Sequence, residues 1–431
     1  MILSASSVQS LADGRRSQLF VVLYANSIPR VGTFIALAGA IQAHGYTAVV
    51  VIPDSVTLTA EELAGFEDVL VSNMKADEIR ALKGVDLFFS SEVVHDVAPA
   101  NVVTVGILHA LPRAGIHSHK ISSNAARSFE AHPEMIRTFD YVAIAVKQAP
   151  AHWNADNYSL LNGLYPPAFL TDRRPVIDIV PAGYPKLDYS SRILKSGAPS
   201  DHILYTPTKY PLGRVRKDAE GILRTLTEGF PDKEVVFRPY PSTEDLAFGR
   251  ELANRLSRVT NFILDDSATG VAFQRRAALA VTDHSSSAMT FSIATGRPLV
   301  FAHLENNVSD AEERSLFGYS ATSKEALLNS VRCCLDGSID WSKVIADEAE
   351  ENLYNPGGAG DYIAKRLHLM ADRKSDPSWL TVNRSPWVPK DVQGAVDEHL
   401  ELLEALRKRT PGGRADAACL EIAEHIRAEH T

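Results

Sequence analysis

Short apolar runs alternate with segments of helical periodicity along most of this chain, and this alternation restricts its fold more than any other feature. The first unit begins at Gln18, where QLFVVLYAN predicts a strand, Arg30 to His44 a helix and YTAVVVIP a second strand. Apolar strands joined by helical connectors predict a parallel sheet covered on both faces. The alternation resumes between HILYTPTKY and GRPLVF. We therefore predict an α/β protein with two doubly wound domains in tandem.

Chain length and a change of pattern indicate where these domains begin and end. The 431 residues exceed one ordinary core, and the proline-rich stretch GLYPPAFLTDRRPVIDIVPAGYPKLDYSS separates the two alternating series. We place the junction at residues 186–200 and predict an N-terminal Rossmann-like domain over 17–188, after a polar leader. A second Rossmann-like domain covers 200–372, and a helical extension covers 373–431. In that extension, VDEHLELLEALRKR has one apolar face, which packs on the protein or a partner subunit or, alternatively, lies on a membrane surface.

The composition restricts the partners and the compartment. Apolar residues make up 45% and charged residues 23% of the chain, as in soluble globular proteins. A net charge of −9 argues against duplex nucleic acid as a partner, because phosphate binding usually leaves a basic surface. Cys333, Cys334 and Cys419 are too few and too poorly spaced for a disulfide framework or a zinc site. With no secretory signal and no run of 18 apolar residues, a cytoplasmic protein is expected, at most attached to a membrane surface.

Doubly wound sheets bind ligands beyond the carboxyl ends of their strands, so the polar residues that follow each strand are the candidate site. In GILHALPRAG, His109 follows an apolar strand, and a neutral imidazole can accept a proton from an attacking hydroxyl. A purely structural role for this lone histidine is the alternative. In ILYTPTKY, the strand ends at Thr206, Thr208 and Lys209, whose hydroxyls and cation suit either an anion or a solvated turn.

The segments VVFRPYPS and LAVTDHSSSAMTFSIATGRPLVF supply the remaining candidates. Arg238 precedes a rigid Pro-Tyr-Pro turn, and its planar fork of donors suits phosphate or, alternatively, a nearby carboxylate. In the second segment a strand leads into a helix through Asp283, Ser285, Ser286 and Ser287. The free N–H groups and the dipole of such a helix N-terminus favour an anion such as phosphate. Serines that act only as N-caps are the alternative.

Taken together, these strand ends predict a cleft lined by Arg, Lys, Thr, Ser and one His, which suits a nucleotide diphosphate with a general base opposite it. Neither GxGxxG nor GxxxxGK[ST] occurs, so a dinucleotide or Walker-type site is not indicated. No DxD-like motif or carboxylate cluster requires a metal ion. We therefore expect neither a metal nor a tightly bound cofactor, and a nucleotide-linked donor as substrate.

Six motifs in order, ILHALPRAG, PAGYPKLD, ILYTPTKY, FRPYPS, VTDHSSSAMTF and GRPLVF, resemble those of the CDP-glycerol glycerophosphotransferases, the teichoic acid and capsule polymerases. The resemblance covers about His109 to Phe301. It implies a GT-B fold, in which two Rossmann-like domains face a cleft and C-terminal helices cross back. The resemblance also implies that the first domain, 17–188, binds the acceptor and that a cytidine-nucleotide donor binds mainly to the second, 200–372. It also implies that His109 is the base, that Arg238 binds phosphate, and that Asp283, Ser285 and Ser286 match the family's Asp-x-Ser-Ser turn.

Three positions depart from the family pattern and leave the donor open. Tyr240, a predicted donor-site residue, stands where a histidine is usual, His284 where an aromatic residue is common, and Thr290 where an acidic residue often follows the turn. These changes suggest a CDP-linked alcohol other than CDP-glycerol, or a CMP-activated sugar acid of the Kdo or sialic acid type.

The resemblance implies an enzyme that transfers the activated group to a glycan or polyol hydroxyl, building a cell-surface polymer. Its acceptor is expected to be a glycan or polyol, lipid-linked where the enzyme works at the inner face of the membrane; homodimers are compatible with the sequence. Two other classes remain open. A nucleotide-sugar epimerase would need carboxylate bases in the cleft, for which Asp283 and Asp266 are the candidates. A non-catalytic nucleotide-binding homologue would fit the histidine missing at Tyr240.

Overall fold

The computed structural model divides the chain into two compact units, residues 1–152 with 177–381 and residues 153–176 with 382–431. Nearly all of the described residues belong to the first unit, which contains two β-sheets. The structure describes residues 2–14, 18–26, 28–53, 66–91, 97–107, 139–147, 174, 176–194, 202–208, 215–267, 270–283, 285–302 and 317–383.

The described residues form fifteen strands. In chain order these are β1 (Ile2–Leu3), β2 (Phe20–Tyr24), β3 (Thr47–Ile52), β4 (Leu70–Asn73), β5 (Leu87–Ser90), β6 (Val103–Ile107), β7 (Tyr141–Ala143), β8 (Val176–Val180), β9 (His202–Tyr205), β10 (Val235–Phe237), β11 (Phe262–Leu264), β12 (Ala277–Thr282), β13 (Leu299–Ala302), β14 (Gly318–Ala321) and β15 (Leu380–Asn383).

Twelve helices accompany these strands within the described ranges. They are α1 (Ala5–Gly14), α2 (Ile28–Ala43), α3 (Ala76–Ala81), α4 (Pro185–Leu194), α5 (Val215–Gly229), α6 (Thr243–Arg255), α7 (Val271–Arg276), α8 (Ser286–Thr295), α9 (Lys324–Leu335), α10 (Trp341–Asn352), α11 (Ala359–Ala364) and α12 (Leu367–Ala371).

The first sheet has nine strands in the order β1-β4-β3-β2-β5-β6-β7-β8-β15. All pairs from β1 to β8 are parallel. Strands β5 and β6 are buried along their whole length, as expected where helices cover both faces of a parallel sheet. The described part of the segment that the sequence analysis treats as a polar leader forms β1 and α1. Ile2 and Leu3 of β1 pair with Val71 and Ser72 of β4. Because these partners are distant in the sequence, a local pattern does not reveal the two-residue strand.

The second sheet has six strands in the order β11-β10-β9-β12-β13-β14, and all of its pairs are parallel. Numbered from β9, this is the 3-2-1-4-5-6 order of a Rossmann fold. The order reverses between β9 and β12, whose neighbouring ends are paired through Tyr205 and Val281. Ligands of such sheets bind at this switch point, beyond the carboxyl ends of the strands.

Helix α4 connects the two sheets and occupies part of the segment predicted as the junction. It packs against α2 beside the first sheet and against α7 and α8 beside the second. Its Asp188 carboxylate accepts hydrogen bonds from the backbone N–H groups of Ala359 (3.3 Å) and Gly360 (2.7 Å), at the start of α11. Burial raises the pKa of Asp188 to about 6. Because α11 also packs on α2, the C-terminal helices return to the first sheet.

Candidate functional site

A cavity of about 160 Å³ lies at the switch point of the second sheet. Thr206 follows β9 and Arg238 follows β10, and the parallel strands bring both residues to the same edge of the sheet. Helix α4 along its length, the start of α8, and parts of α2 and α7 also line the cavity. Its polar lining groups include Lys186, Tyr189, Thr206, Arg238, Tyr240, Ser285 and Ser287.

Thr208 and Asp283 hold the switch point together and do not line the cavity. The backbone N–H of Thr208 donates to Asp283 Oδ1 at 2.8 Å, and its hydroxyl donates to the same oxygen at 2.6 Å. A second connection runs from the Thr282 hydroxyl to the Thr206 carbonyl, at 2.8 Å. Hydrogen bonds to a carboxylate are stronger than neutral ones, so these contacts fix the ends of β9 and β12 against each other. Thr208 and Asp283 therefore stabilise the strand ends next to the cavity and do not form part of its lining.

Ser285 occupies the N-cap position of α8 without capping it. Its backbone is extended (φ −72°, ψ 122°), and its hydroxyl accepts no hydrogen bond from the first turn of the helix. The Ser285 side chain is buried, whereas Ser287 is exposed on the cavity wall. A capping role would have committed the Ser285 oxygen to a backbone N–H. The hydroxyl therefore faces a cavity at a helix N-terminus, where the dipole favours negative charge.

Arg238 lines the cavity and also forms a buried ion pair. Its Nη1 lies 2.8 Å from Asp265 Oδ2 and donates to the carbonyl of Ser267 at 3.0 Å. The two charged side chains are 8% and 0% exposed. Gly270 covers the guanidinium: its φ is +66°, and a Cβ at this position would lie 2.3 Å from Arg238 Cζ. Of the two sequence interpretations of Arg238, the pairing with a nearby carboxylate is therefore observed, and the guanidinium also borders the cavity.

Lys186 is a cavity residue that the sequence analysis missed. It lies in the first turn of α4, is partly buried, and forms no hydrogen bond or ion pair with another described residue. Burial lowers the pKa of Lys186 to about 8. The motif PAGYPKLD indicates this position of Lys186. Proline is common at the first position of a helix, so Pro185 marks the helix start and Lys186 falls in the first turn.

Tyr184 contacts a residue of the cavity wall, and Tyr240 lines the cavity itself. Tyr184 precedes α4 and forms a hydrogen bond with the Thr290 side chain on α8, and burial raises its pKa. This bond connects the segment after β8 to the helix that begins at the cavity. Tyr240, in the Pro-Tyr-Pro turn after β10, lines the cavity and is only partly buried. Thr290, which departs from the family pattern, therefore has a structural partner.

Several predicted residues fall elsewhere. His109, Lys209 and His284 lie outside the described residues, and the backbone of Ser286 begins α8 although its side chain is not described. Asp266 is exposed and pairs with Arg250 at 3.2 Å, away from the described cavity wall. Neither carboxylate proposed for an epimerase therefore borders the described cavity.

In the described ranges, no three His, Cys, Asp or Glu side chains are grouped so that they could hold a metal ion. None of the helices in these ranges is both long enough and apolar enough to cross a membrane.

No protein-family model matches this chain, and no curated protein is detectably similar to it.

Solved structures, in contrast, share its architecture. A candidate UDP-N-acetylglucosamine 2-epimerase from Listeria monocytogenes is 17% identical, with a TM-score of 0.55, over 84% of this chain and 99% of that one. The UDP-GlcNAc 2-epimerase from Neisseria meningitidis, bound to UDP-GlcNAc, is 14% identical, with a TM-score of 0.52, over 82% and 100%. The wall teichoic acid polymerase TagF, soaked with CDPG, is 15% identical, with a TM-score of 0.52, over 85% and 94%.

These similarities establish the fold. The protein has the GT-B architecture, with two Rossmann-like parallel-sheet domains, which confirms the sequence prediction. At such low identity the likeness extends to the fold alone.

Proposed function

We propose that the protein is a transferase that binds a cytidine-nucleotide-activated donor at the switch-point cavity and transfers the activated group to a hydroxyl of a cell-surface glycan or teichoic-acid-like polymer. The observation that carries this proposal is the charge of the cavity. Its described wall contains two cations, Lys186 and Arg238, several hydroxyls and no carboxylate. It lies at the N-terminus of α8, at the Rossmann switch point. Such an environment favours phosphate over a neutral ligand or a cation.

The size of the cavity indicates which part of the donor it would hold. About 160 Å³ is less than the 300 to 1,000 Å³, roughly, of a pocket for a complete drug-sized ligand. The described walls suit the phosphates of the donor, and the nucleoside would extend beyond them. Cytidine is favoured by the six ordered motifs and is consistent with a shared fold between this chain and TagF soaked with CDPG. The transferred group is a polyol phosphate or, alternatively, a CMP-linked sugar acid.

The proposed mechanism assigns a task to each predicted group. His109 removes the proton of the acceptor hydroxyl as that oxygen attacks the activated phosphorus or carbon, a role commonly worth about 10² to 10⁴ in rate. Arg238, Lys209, Ser285 and the amides at the start of α8 stabilise the charge that develops on the departing nucleotide. Removing one such preorganised donor commonly costs about 10² to 10³ in rate.

Nucleotide binding tests the proposal directly. CMP, CDP, UDP and GDP are titrated calorimetrically into the wild type and into Ser285→Ala/Ser287→Ala. We expect a preference for the cytidine nucleotides and a loss of affinity of about tenfold in the double variant, or about 1.4 kcal/mol. Both hydroxyls border the cavity, and neither is needed to cap α8.

Ser323→Ala is the matched control. Ser323 caps α9, accepting a hydrogen bond from the N–H of Ala326 at 3.1 Å, and does not line the cavity. Its loss should cost about 1 kcal/mol of stability and leave nucleotide affinity unchanged. A preference for UDP or GDP would refute the cytidine donor and favour the epimerase alternative. Binding of no nucleotide would refute the donor site, and cytidine binding without turnover on any acceptor would favour a non-catalytic homologue.

A further inference from the structure

We propose that Lys186, contributed by the helix that connects the two sheets, binds a phosphate oxygen of the ligand in the second sheet's anion site. The inference rests on the proposed donor site and adds to it a binding residue from outside the Rossmann domain that forms most of that site. It identifies the ligand class as a di- or polyphosphate, to which the Lys186 ammonium group would supply one positive charge.

Lys186 and the second sheet's polar groups border one cavity. Lys186 lies in the first turn of α4, which packs against α8. Its side chain borders the same cavity as Arg238 and Ser285, at the carboxyl ends of β9 and β10. An anion at the N-terminus of α8 would therefore meet hydroxyls and amides from one side and the Lys186 ammonium from another.

Charge balance favours an anion at Lys186. Arg238 already has Asp265 as a counter-ion at 2.8 Å, with both side chains buried. The described cavity wall contains no carboxylate, and Lys186 has no hydrogen-bond or ion-pair partner among the described residues. Removing an ammonium group from water without a partner is unfavourable, so a bound anion would satisfy a charge that the described protein leaves uncompensated.

Other charged and titratable groups lie on α4 and on the helices that pack around it. Those on α4 itself and on α2, α7 and α11 are engaged elsewhere, and α8 carries none. They are Asp188 with the Gly360 N–H, Arg192 with the Phe66 ring, Arg30 with Asn26, Arg275 with the Ile193 carbonyl, Arg276 with Glu234, and Asp361 with Lys365 and His44. The cavity wall adds Arg238, Tyr189 and Tyr240. Among the described residues, no carboxylate therefore forms an ion pair with Lys186.

A consequence for pH dependence follows. Burial lowers the pKa of Lys186 to about 8, so the ammonium is mostly protonated at pH 7 and mostly neutral at pH 9.5. A bound phosphate would favour the charged form and raise that pKa. Binding should therefore take up a proton above about pH 8, and affinity should fall as pH rises further.

The test uses inorganic pyrophosphate, because it lacks a base and separates phosphate binding from nucleotide selectivity. It is titrated calorimetrically at pH 7.5 and pH 9.5 into the wild type, Lys186→Met, Lys186→Arg and the control Lys324→Met. Lys324 is exposed on α9 and does not line the cavity. The protonation of pyrophosphate changes with pH in the same way in every experiment. A difference in pH dependence between two of the proteins therefore comes from the substituted side chain. Thermal unfolding of each variant shows that it is folded.

At pH 7.5 we expect Lys186→Met to bind pyrophosphate about tenfold or more weakly than the wild type, and Lys324→Met to match the wild type. Between pH 7.5 and 9.5 the wild type should lose about tenfold more affinity than Lys186→Arg, because the guanidinium remains charged. Folded Lys186→Met with wild-type affinity, or a wild type and Lys186→Arg with the same pH dependence, would overturn the proposal.

These outcomes also separate this inference from the proposed function. Loss of pyrophosphate binding in Lys186→Met, without any cytidine preference in the wild type, would support the Lys186 site and refute the cytidine donor. Cytidine-selective binding that Lys186→Met retains in full would support the donor site and refute the role of Lys186. A folded wild type that binds neither pyrophosphate nor nucleotide would refute both.

Discussion

The two cations of the cavity come from different regions of the molecule and differ in their partners. Arg238 follows β10 within the second sheet, where Asp265 and the Ser267 carbonyl accept its hydrogen bonds. Lys186 belongs to the connecting helix α4, and no described residue pairs with it. Burial beside one cavity therefore has different consequences for the two cations. Arg238 has a counter-ion within the fold and would share its charge with a ligand, whereas the charge of Lys186 has no partner among the described residues and would be wholly available to an anion.

Breaking the Arg238 pair should have the largest effect. Arg238→Met leaves the Asp265 carboxylate buried without its counter-ion, and the loss of one partner of a buried pair commonly costs about 3 to 5 kcal/mol. Denaturant unfolding measures the change. The control is Arg250→Met, which removes the exposed pair with Asp266 and should cost about 1 kcal/mol or less. Equal losses in the two variants would mean that the buried pair adds no special stability.

Replacing Lys186 should increase the free energy of unfolding, whereas replacing Arg238 should decrease it. Lys186→Met eliminates an uncompensated ammonium and should stabilise the unliganded protein by up to about 3 kcal/mol near pH 7. The pKa is about 8 in the folded protein, against an ordinary value of 10.5. Because the unfolded chain holds the proton more tightly, wild-type stability should rise between these two pH values. The advantage of the variant should therefore shrink over the same range.

Unfolding curves at several pH values check this prediction, and Lys324→Met serves as the exposed control, with little change expected at any pH. A destabilised Lys186→Met protein would show that the ammonium has a favourable partner in the unliganded fold. The contrast between the two cations would then disappear.

Gly270 tests how closely the Arg238 guanidinium is enclosed. Gly270→Ala places a Cβ about 2.3 Å from Arg238 Cζ and at a φ of +66°, so it should cost about 2 kcal/mol through strain and displacement of the ion pair. Gly337→Ala is matched in backbone conformation, with a φ of +72°, but its Cβ would meet nothing within 4 Å. It should cost about 1 kcal/mol. Thermal unfolding compares the two, and equal shifts would show that the guanidinium moves aside freely.

The sequence predicted the fold well because its signals are local. Buried parallel strands are continuous apolar runs, and the helices between them show their own periodicity, so α2 begins and ends within two residues of its predicted limits. β1 was not predicted, because a two-residue strand has no detectable pattern without its neighbour in the sheet.

The candidate site was predicted in outline. The rule that ligands bind beyond strand ends selected Thr206, Arg238, Tyr240, Ser285 and Ser287, all of which line the cavity. The same rule selected Thr208 and Asp283, which form hydrogen bonds with each other and do not line the cavity. Position after a strand brings a residue to the edge of the sheet, but the partner of its side chain determines whether it can reach a ligand.

The sequence by itself determined the order of strands and helices, the number of doubly wound units and the polar residues at their edges, because these follow from hydrophobic period and chain connectivity. Only the tertiary structure decided how those polar residues pair. Asp265 reaches Arg238 from 27 positions away, and α4 brings Lys186 to a cavity formed mainly by another sheet. Electrostatic balance depends on distance and burial in three dimensions, and neither quantity is encoded in a local pattern of residues.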